Sequence, residues 1–262
     1  MCIMDEFFKY PRTPHIRGSN LQKGDDPEDI PLDLLKGKFL VIEEKIDGAN
    51  SAISFSEDKA IILQSRGHIL SGGGREKQFD LFKSWATSHS AELWDCLGST
   101  LIMYGEWCFA KHSEFYDQLP HYFLEFDIFD KEKKEFWSTE LRHELLPSFI
   151  CHVPVLSSGM CPSTLDKLTS FITHSLYKSK DWSKKLEQQA KDFNLDINLI
   201  KKQTDMTGLA EGLYIKWEDS GTVKGRYKFV RSEFIQHLVN GDDHWMDRPI
   251  LPNICINSDL WT

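Results

Sequence analysis

Seven segments of this 262-residue chain alternate apolar and polar side chains, and this alternation is what most restricts its fold. A period of two is typical of β-strands, because successive side chains point to opposite faces of a sheet. The predicted strands are 38–45, 51–55, 60–65, 100–106, 122–130, 211–217 and 223–231. Strands come first, helices follow and strands return, which favours an α+β domain built on antiparallel sheets.

Helical spacing is confined to two parts of the chain. The first is 75–86, and the second contains predicted helices at 182–193 and 197–203. Asp181 and Asp196 precede these last two and are predicted to cap them. We therefore expect one domain over 1–262, with a mostly helical insertion at about 157–208 and a short C-terminal tail at about 232–262. The two prolines of 10–15 predict an extended segment across the domain surface.

Composition excludes several classes of protein. No apolar run approaches the roughly 20 residues needed to span a membrane, and the first residues lack the pattern of a signal peptide. The six cysteines contain no C-x-x-C pair, which indicates thiols of a reducing compartment. A cytoplasmic protein without membrane contact is expected. The net charge of −9 weakly disfavours a nucleic-acid partner, although the chain also has local basic stretches.

The most informative segment is Glu43-Glu44-Lys45-Ile46-Asp47-Gly48-Ala49-Asn50, which joins two predicted strands. A lysine at a strand end before a glycine turn projects its amine into a pocket. An amine is nucleophilic only when neutral, which costs roughly 4–5 kcal/mol at pH 7 from a pKa of ~10.4. A nearby cation or burial is therefore expected to depress the Lys45 pKa. The alternative is an exposed lysine before an ordinary Asp-Gly turn.

Later segments agree with this motif in order and kind. Together they resemble the motifs of the covalent nucleotidyltransferases, which include RNA ligases, DNA ligases and mRNA capping enzymes. The 9–15 segment and the phrase at 106–113 are similar to a bacterial-type branch of the RNA ligases. The matching segments are Lys45–Asn50, Ser65-Arg66-Gly67, Tyr104-Gly105-Glu106, Phe123–Ile128, Glu211–Lys216 and Arg226-Tyr227-Lys228.

The resemblance implies an ATP-grasp-like ligase adenylation domain that forms a lysyl-AMP intermediate on Lys45, with ATP and Mg²⁺ or Mn²⁺ as cofactors. It also implies RNA with 5′-phosphate and 3′-hydroxyl ends as partner. The implied metal ligand is Glu211, and Lys216 is implied to contact the α-phosphate. The other implied nucleotide-binding residues are Glu44 at the adenine amino group, Asp47, Asn50 at phosphate or hydrated metal, Arg66 at ribose or the nucleic-acid end, and Glu106 at ribose. Without the motifs, each carboxylate would be an ordinary solvated or salt-bridged group.

Strand parity adds two hypotheses. Leu124, Phe126 and Ile128 are expected to share one face, from which Phe126 could stack on adenine or simply fill the core, with Phe123 as the fallback. In the last strand, Lys224, Arg226 and Lys228 are expected to share a face opposite Tyr227 and Phe229. That face would bind phosphates through Arg226 and Lys228, with Lys228 catalytic, or would be a solvated basic edge.

Three rival functions remain open. A DNA ligase, a nick-sealing ligase or a capping enzyme would use the same motifs. DNA ligases and capping enzymes normally carry an oligonucleotide-binding barrel after them, and only about thirty residues follow Arg231. A nucleotide- or RNA-binding module would tolerate the loss of Lys45. The third is a ligase acting only in a repair complex, beside an end-healing kinase or phosphatase. Lysines of the insertion, Lys178 among them, could grip the substrate or form a solvated helical face.

Overall fold

The computed structural model describes residues 7–21, 29–234, 249–257 and 259–261. All seven predicted strands are present, with ends shifted by one or two residues. Over these described residues the chain forms twelve strands: β1 His15–Ile16, β2 Asp29–Ile30, β3 Phe39–Lys45, β4 Ala49–Phe55, β5 Ile61–Ser65, β6 Leu101–Trp107, β7 Phe123–Asp130, β8 Glu135–Trp137, β9 Cys151–His152, β10 Val155–Met160, β11 Gly212–Asp219 and β12 Thr222–Val230.

The helices are short and fall between the strands. Short 3₁₀ helices cover Leu32–Leu35 and Gly74–Phe79. The α-helices are α1 Asp80–Ser88, α2 Ser90–Leu97, α3 Thr139–Leu145, α4 Leu165–Thr169, α5 Trp182–Asp192 and α6 Ile197–Lys202. Asp196 caps α6 as predicted, accepting hydrogen bonds from the amides of Asn198 and Leu199. The predicted cap at Asp181 is wrong, because its carboxylate pairs with Lys184 and accepts no capping bond.

The sheet has the order β10-β3-β11-β12-β8-β7-β6-β4-β5, and each neighbouring pair is antiparallel. The three-residue β8 joins two parts, which we name the first half-sheet (β10, β3, β11, β12) and the second half-sheet (β7, β6, β4, β5). The predicted antiparallel α+β architecture is confirmed. The insertion begins inside the sheet, since 157–160 belong to β10, and its helices start at Leu165.

Each half-sheet has an apolar face and a polar face. The apolar face of the second packs against α1 and α2 through residues such as Phe55, Phe82 and Trp107. The apolar face of the first packs against β1 and α4 through Ile16 and Leu168. The polar faces turn toward each other, because side chains of β11 reach those of β7. The space between them contains the candidate site.

The segment before β1 lies inside the molecule in part. Tyr10 and His15 are buried, whereas Lys9 and Arg12 are exposed. The carbonyl of Phe8 accepts hydrogen bonds from Gln64 and from the hydroxyl of Tyr104. The expectation of a purely superficial segment is therefore wrong, because its aromatic side chains enter the space between the half-sheets.

Two expectations from composition can be examined in the described residues. Cys96, Cys108, Cys151, Cys161 and Cys255 are free thiols. No helix in the described ranges is both long and apolar enough to cross a bilayer. Within the expected C-terminal tail, 235–248 lies outside the described residues.

Candidate active site

Lys45 is the last residue of β3, and the turn after it requires a glycine. A Cβ at position 48 would lie 2.8 Å from the carbonyl oxygen of Trp107 and 3.0 Å from Cγ of Glu106. Without that atom, the amide of Gly48 donates to Oε1 of Glu106 at 3.1 Å. The close approach of β4 and β6 thus brings the Glu106 carboxylate beside the lysine strand.

The amine of Lys45 faces a carboxylate from another strand. Its Nζ lies 2.7 Å from Oε1 of Glu211, just before β11, and the two side chains are 24% and 3% exposed. Register explains the meeting, since Gly212 pairs directly with Lys45. The other oxygen, Oε2 of Glu211, is buried and has no hydrogen-bond partner among the described residues. We name Lys45, Asp47, Glu106 and Glu211 the reactive cluster.

The reactive cluster perturbs the acidity of its members. Burial raises the pKa of Glu106 to about 8 against the charge of Lys45, and Asp47 and Glu211 add to the rise. Burial likewise raises the pKa of Glu211 to about 7, although Lys45 and Lys228 oppose it. One ammonium faces three carboxyl groups here, so Glu106 and Glu211 resist ionisation.

The Lys45 pKa corrects a prediction. Burial lowers it, but the charge of Glu211, a hydrogen bond to Glu211 and the charges of Asp47 and Glu106 together raise it above its ordinary value. The expected depression is therefore wrong for the protein without ligands. A cation that neutralises the Glu211 charge would remove the largest of the effects that raise this pKa.

Asp47 holds a neighbouring loop. Its Oδ2 accepts hydrogen bonds from the amides of Ser113 at 2.7 Å and Glu114 at 2.9 Å. Its own amide donates to the hydroxyl of Tyr116. Nδ1 of His112 lies 3.9 Å from its other oxygen. These contacts shape the turn after Lys45, and a direct contact between Asp47 and nucleotide stays a prediction.

Glu44 points away from the amine of Lys45, as strand parity predicts. Its carboxylate accepts hydrogen bonds from Oγ of Ser175 at 2.5 Å and from the amide of Leu176 at 3.1 Å. Burial raises its pKa against these hydrogen bonds. Its predicted contact with adenine is untested, and the structure shows that Glu44 anchors the 175–176 segment.

Three further predicted residues surround the reactive cluster. Asn50 pairs in register with Glu106 across β4 and β6. Lys228 faces the same space, and its charge lowers the pKa of Glu211. Arg66 is exposed immediately after β5. The structure therefore places Asn50 opposite Glu106 and Lys228 close enough to act on Glu211, and leaves Arg66 exposed.

Lys216 and Arg226 lie deeper between the half-sheets. Nζ of Lys216 is fully buried, 2.9 Å from Glu43 and 3.2 Å from Asp127, and also donates to the carbonyl of Phe126. Lys216 lies four residues along β11 from the position that pairs with Lys45, and Arg226 is its partner on β12. Lys216 is thus engaged in a set that we name the ionic network: Glu43, Glu125, Asp127, Arg142 and Lys216.

Arg142 of α3 joins the ionic network from the side. Its Nη1 donates to both oxygens of Glu125 at 2.6 Å, and its Nη2 donates to Glu43 at 3.0 Å. Burial raises the Glu125 pKa, but Arg142, His152 and Lys216 outweigh it and lower that pKa to about 2. Burial raises the Glu43 pKa despite its two cations. Glu125 is therefore the more firmly ionised of the two.

Arg226 is held by aromatic rings. Its guanidinium carbon lies 3.8 Å from the ring centre of Phe136 and 5.0 Å from that of Tyr10. Its Nη1 is 3.9 Å from Asp127 and has no hydrogen-bond partner among the described residues. Arg226 and Lys228 share a face, as predicted, and pair with Lys216 and Tyr214, whereas a register shift at Lys224 interrupts that face. Of the two, only Lys228 reaches the reactive cluster.

Phe126 occupies an irregular position. The pairing between β6 and β7 moves from Tyr104–Asp127 to Gly105–Glu125, so Phe126 is the extra residue of a bulge. Ile128 consequently packs with Phe123 in the core against α1 and α2, whereas Leu124 and Phe126 pack elsewhere. The predicted common face is correct for Leu124 and Phe126 and wrong for Ile128.

Sequence reasoning missed two tyrosines near Phe126. The ring of Tyr10 lies 5.3 Å from that of Phe126, and the ring of Tyr214 lies 6.1 Å away. The hydroxyl of Tyr10 contacts both Asp127 and the hydroxyl of Tyr214. Tyr214 shares strand parity with Lys216, a signal that could have found it, whereas no local pattern marks Tyr10.

The residues present fit a divalent cation bound together with substrate. Among the described residues, no group of three or more His, Cys, Asp or Glu side chains could hold a metal alone. Mg²⁺ usually keeps several waters and binds through one or two carboxylates plus substrate phosphates. The unpartnered, buried Oε2 of Glu211 provides such a carboxylate. Glu211, with phosphate oxygens and water, would therefore hold the metal.

Solved structures with a similar fold come from Naegleria gruberi. Its RNA ligase with pyrophosphate gives a TM-score of 0.52 at 18% identity, covering 86% of this chain and 61% of that one. A lysine-to-alanine mutant with ATP and Mn gives 0.51 at 18%, covering 84% and 61%. A glutamate-to-alanine mutant with ATP and Mn gives 0.52 at 17%, covering 84% and 60%. At this identity the likeness shows the fold, and the chain spans about three fifths of the length of these ligases.

Comparison with curated protein sequences gives no match. The sequence profile of a protein family described as RNA ligase matches residues 38–230, which includes the reactive cluster and both half-sheets. This match covers well over half of the chain and agrees with the motif resemblance. The chain belongs to the RNA ligase family.

Proposed function

We propose that this protein is an ATP-dependent RNA ligase in which Lys45 is the nucleophile. The observation that supports it is the 2.7 Å contact between Nζ of Lys45 and Glu211, on the surface that also presents Glu106 and Lys228. A lysine paired with a carboxylate is suited to a reaction that begins when a cation, arriving with the substrate, neutralises that carboxylate.

In the first step, the ammonium of Lys45 loses a proton to water, and the neutral amine attacks the α-phosphorus of ATP and gives up a second proton as the new bond forms. A phosphorus–nitrogen bond forms, and pyrophosphate leaves with the electrons of the broken phosphorus–oxygen bond. Mg²⁺ or Mn²⁺ at Glu211 would neutralise phosphate charge. Lys228 adds a second positive charge next to Glu211 and stabilises the negative charge of the phosphates.

In the next two steps, AMP passes from Lys45 to a 5′-phosphate end, and a 3′-hydroxyl then displaces AMP. Glu106 and Asn50, paired across β4 and β6, are proposed to orient ribose and phosphate. Arg66, exposed immediately after β5, is proposed to meet the nucleic-acid end. Phe126 is proposed as the surface on which adenine stacks, because it is only half-buried.

In this proposal, Glu44, Lys216 and Arg226 support the site without contacting the nucleotide. Lys216 holds the carbonyl of Phe126 and the carboxylate of Asp127, which fixes the wall opposite Lys45. A direct contact of Lys216 or Arg226 with phosphate would require the ionic network to open. Asp47 and Glu44 position the strand end on both sides of the nucleophile.

The substrate class and cellular setting belong to the same proposal. RNA with 5′-phosphate and 3′-hydroxyl ends would be the substrate. Such ends are produced by end-healing kinases and phosphatases, which are the class of partner we propose. The free thiols of the described cysteines fit a cytoplasmic location.

The test is the mass of the intact protein after incubation with ATP and Mg²⁺ or Mn²⁺. The wild type should gain one AMP, and pyrophosphate should remove it. Lys45→Ala should show no adduct, whereas Lys36→Ala, an exposed lysine paired only with Asp33, should behave as wild type. The absence of any adduct in the wild type would favour a binding module and overturn the proposal.

Substrate preference needs a second assay with the adenylated protein. RNA and DNA oligonucleotides of the same sequence, single-stranded or as nicked duplexes, should be supplied with 5′-phosphate and 3′-hydroxyl ends. Faster sealing of RNA is expected. Equal or faster sealing of nicked DNA would instead identify a DNA or nick-sealing ligase.

A further inference from the structure

The segment from 161 to 208 contains a lysine whose placement differs from that of its neighbours. Lys178 is fully buried and contacts the fully buried carboxylate of Glu114, with its Nζ 4.5 Å from the ring centre of Trp182. By contrast, Lys184 and its partner Asp181 are both mostly exposed. Lys178 therefore cannot grip RNA in this arrangement, which corrects one part of the hypothesis drawn from the sequence.

Glu114, the partner of Lys178, is hydrogen-bonded through its own backbone amide to the turn that follows Lys45. The amide of Glu114 donates to Oδ2 of Asp47, and so does the amide of Ser113. The carbonyl of Ser113 in turn accepts a hydrogen bond from the amide of Asp205. Two parts of the inserted segment, at Lys178 and at Asp205, thus meet the loop whose amides bind Asp47, two residues after Lys45.

The same segment also contacts the residue before Lys45. Ser175 and Leu176 donate hydrogen bonds to the two oxygens of Glu44. Only two residues separate Ser175 from Lys178, so one short stretch supports Glu44 directly and Asp47 through Glu114. Lys45 lies between these two supported positions in the chain.

Glu211 is connected to the same group of residues. Nη2 of Arg231 lies 2.6 Å from Asp205 and 3.8 Å from Glu114. Its Nε donates to the carbonyl of Ala210, and its amide donates to the carbonyl of Glu211. The Lys178–Glu114 pair therefore lies next to residues that support Lys45 and to residues that support Glu211.

We infer that the inserted segment holds the nucleophile in place and that Lys178 is a positioning residue for lysine adenylation. This inference rests on the proposed function. A buried ion pair is costly to form, and removing Lys178 leaves the buried Glu114 carboxyl with the more distant Arg231, at 3.8 Å, as its cationic neighbour. Loss of Lys178 should release Glu114, then the 113–114 amides, then Asp47. Misplacement of a reacting group by about 1 Å can cost 10²-fold in rate.

The test compares Lys178→Met with Lys184→Met, an exposed lysine on the same segment. With no RNA present, Lys178→Met should slow adenylation at saturating ATP by about 10- to 100-fold per folded molecule, with KM for ATP within about 3-fold. Lys184→Met should match wild type. Thermal unfolding measures the folded fraction of each. The double variant Lys178→Met/Glu114→Gln, which leaves no unpaired charge, should recover part of the rate.

Three results would overturn the inference. One is an unchanged adenylation rate per folded molecule in Lys178→Met. Another is a defect confined to RNA binding and sealing, which would make Lys178 a substrate contact. The third is a rise in KM for ATP with no change in the maximal rate, which would indicate a role in ATP affinity alone.

Hydrogen exchange makes the test independent of activity. Amides at 44–48 and 113–114 should lose protection in Lys178→Met relative to Lys184→Met, while those of β6 and β7 keep it. Unchanged protection at 113–114 would overturn the inference even if the wild type forms no adduct. A wild type without adduct but with the expected exchange pattern would overturn only the proposed function.

Discussion

The reactive cluster and the ionic network are built from the same residue types but differ in charge balance. The reactive cluster sets one ammonium, Lys45, against three carboxyl groups, and burial raises the pKa of Glu106 and Glu211 to about 8 and 7. In the ionic network, Arg142 and Lys216 face Glu43, Glu125 and Asp127. Nη1 of Arg226 lies 3.9 Å from the Asp127 carboxylate. There, Glu125 has a pKa lowered to about 2.

This difference separates stability from catalysis. Matched charges need no ligand, so the ionic network ties the half-sheets together. A divalent cation would favour the ionised forms of Glu106 and Glu211 in the reactive cluster, which burial disfavours. Substitutions in the two groups should therefore have opposite consequences, with folding affected in one and activity in the other.

The largest effect is expected from Arg142→Met. It leaves Glu43 and Glu125 buried without their guanidinium partner, and breaking such a pair typically costs about 3–5 kcal/mol. Urea denaturation measures the free energy of unfolding. Adding Glu43→Gln and Glu125→Gln to the variant should restore part of the loss. A loss below about 1 kcal/mol would contradict the structural role of the ionic network.

Acid should weaken the protein through Glu125. Its pKa falls from 4.5 in the unfolded chain to about 2 in the fold, a shift worth about 3 kcal/mol. This stability is present above pH 4.5 and is lost as pH falls toward 2. Denaturation at several pH values should show a flatter dependence for Glu125→Gln. Parallel curves for variant and wild type would refute the assignment.

Glu211→Gln should remove activity and spare the fold. Loss of a charged group that organises the transition state typically costs about 10²–10³-fold in rate. The fold loses an ion pair whose lysine is 24% exposed, and relief of repulsion from Asp47 and Glu106 offsets part of that loss, so the free energy of unfolding should change by about 1 kcal/mol or less. The adenylation rate and urea denaturation are the measurements. Destabilisation as large as that of Arg142→Met would remove the distinction between the two groups.

The smallest effect is expected from Glu106→Gln. With a pKa of about 8, Glu106 is mostly protonated at pH 7 in the free protein, and a glutamine resembles it in shape and charge. Adenylation should fall by about 5-fold or less at pH 7. Above pH 8 the ionised carboxylate becomes the stronger hydrogen-bond acceptor, so the wild type should gain on the variant. A pH-independent ratio of kcat/KM would argue against this acidity.

Local pattern predicted the strands and the parity of β12 because both depend on nearest neighbours along the chain. It failed where a contact between distant segments decides the geometry. The bulge at Phe126 is visible only in the pairing of β6 with β7. In the sequence, Lys178 resembles its solvated neighbours, and its pairing with Glu114 is visible only in the structure. The motif placed Lys45 and Glu211 in one site, but it could not show that Lys216 would be fully buried and occupied.

The contact of Tyr10 with Tyr214 has a consequence for synthesis of the protein. Their hydroxyls meet although 204 positions separate them. During translation, Tyr10 leaves the ribosome early, and β11 and β12, which complete its surroundings, leave the ribosome much later. Because closing such distant contacts slows folding, completion of the space between the half-sheets is expected to be a late event. A nascent chain ending before β11 would lack Glu211 as well, so adenylation should begin only when synthesis of this domain is nearly finished.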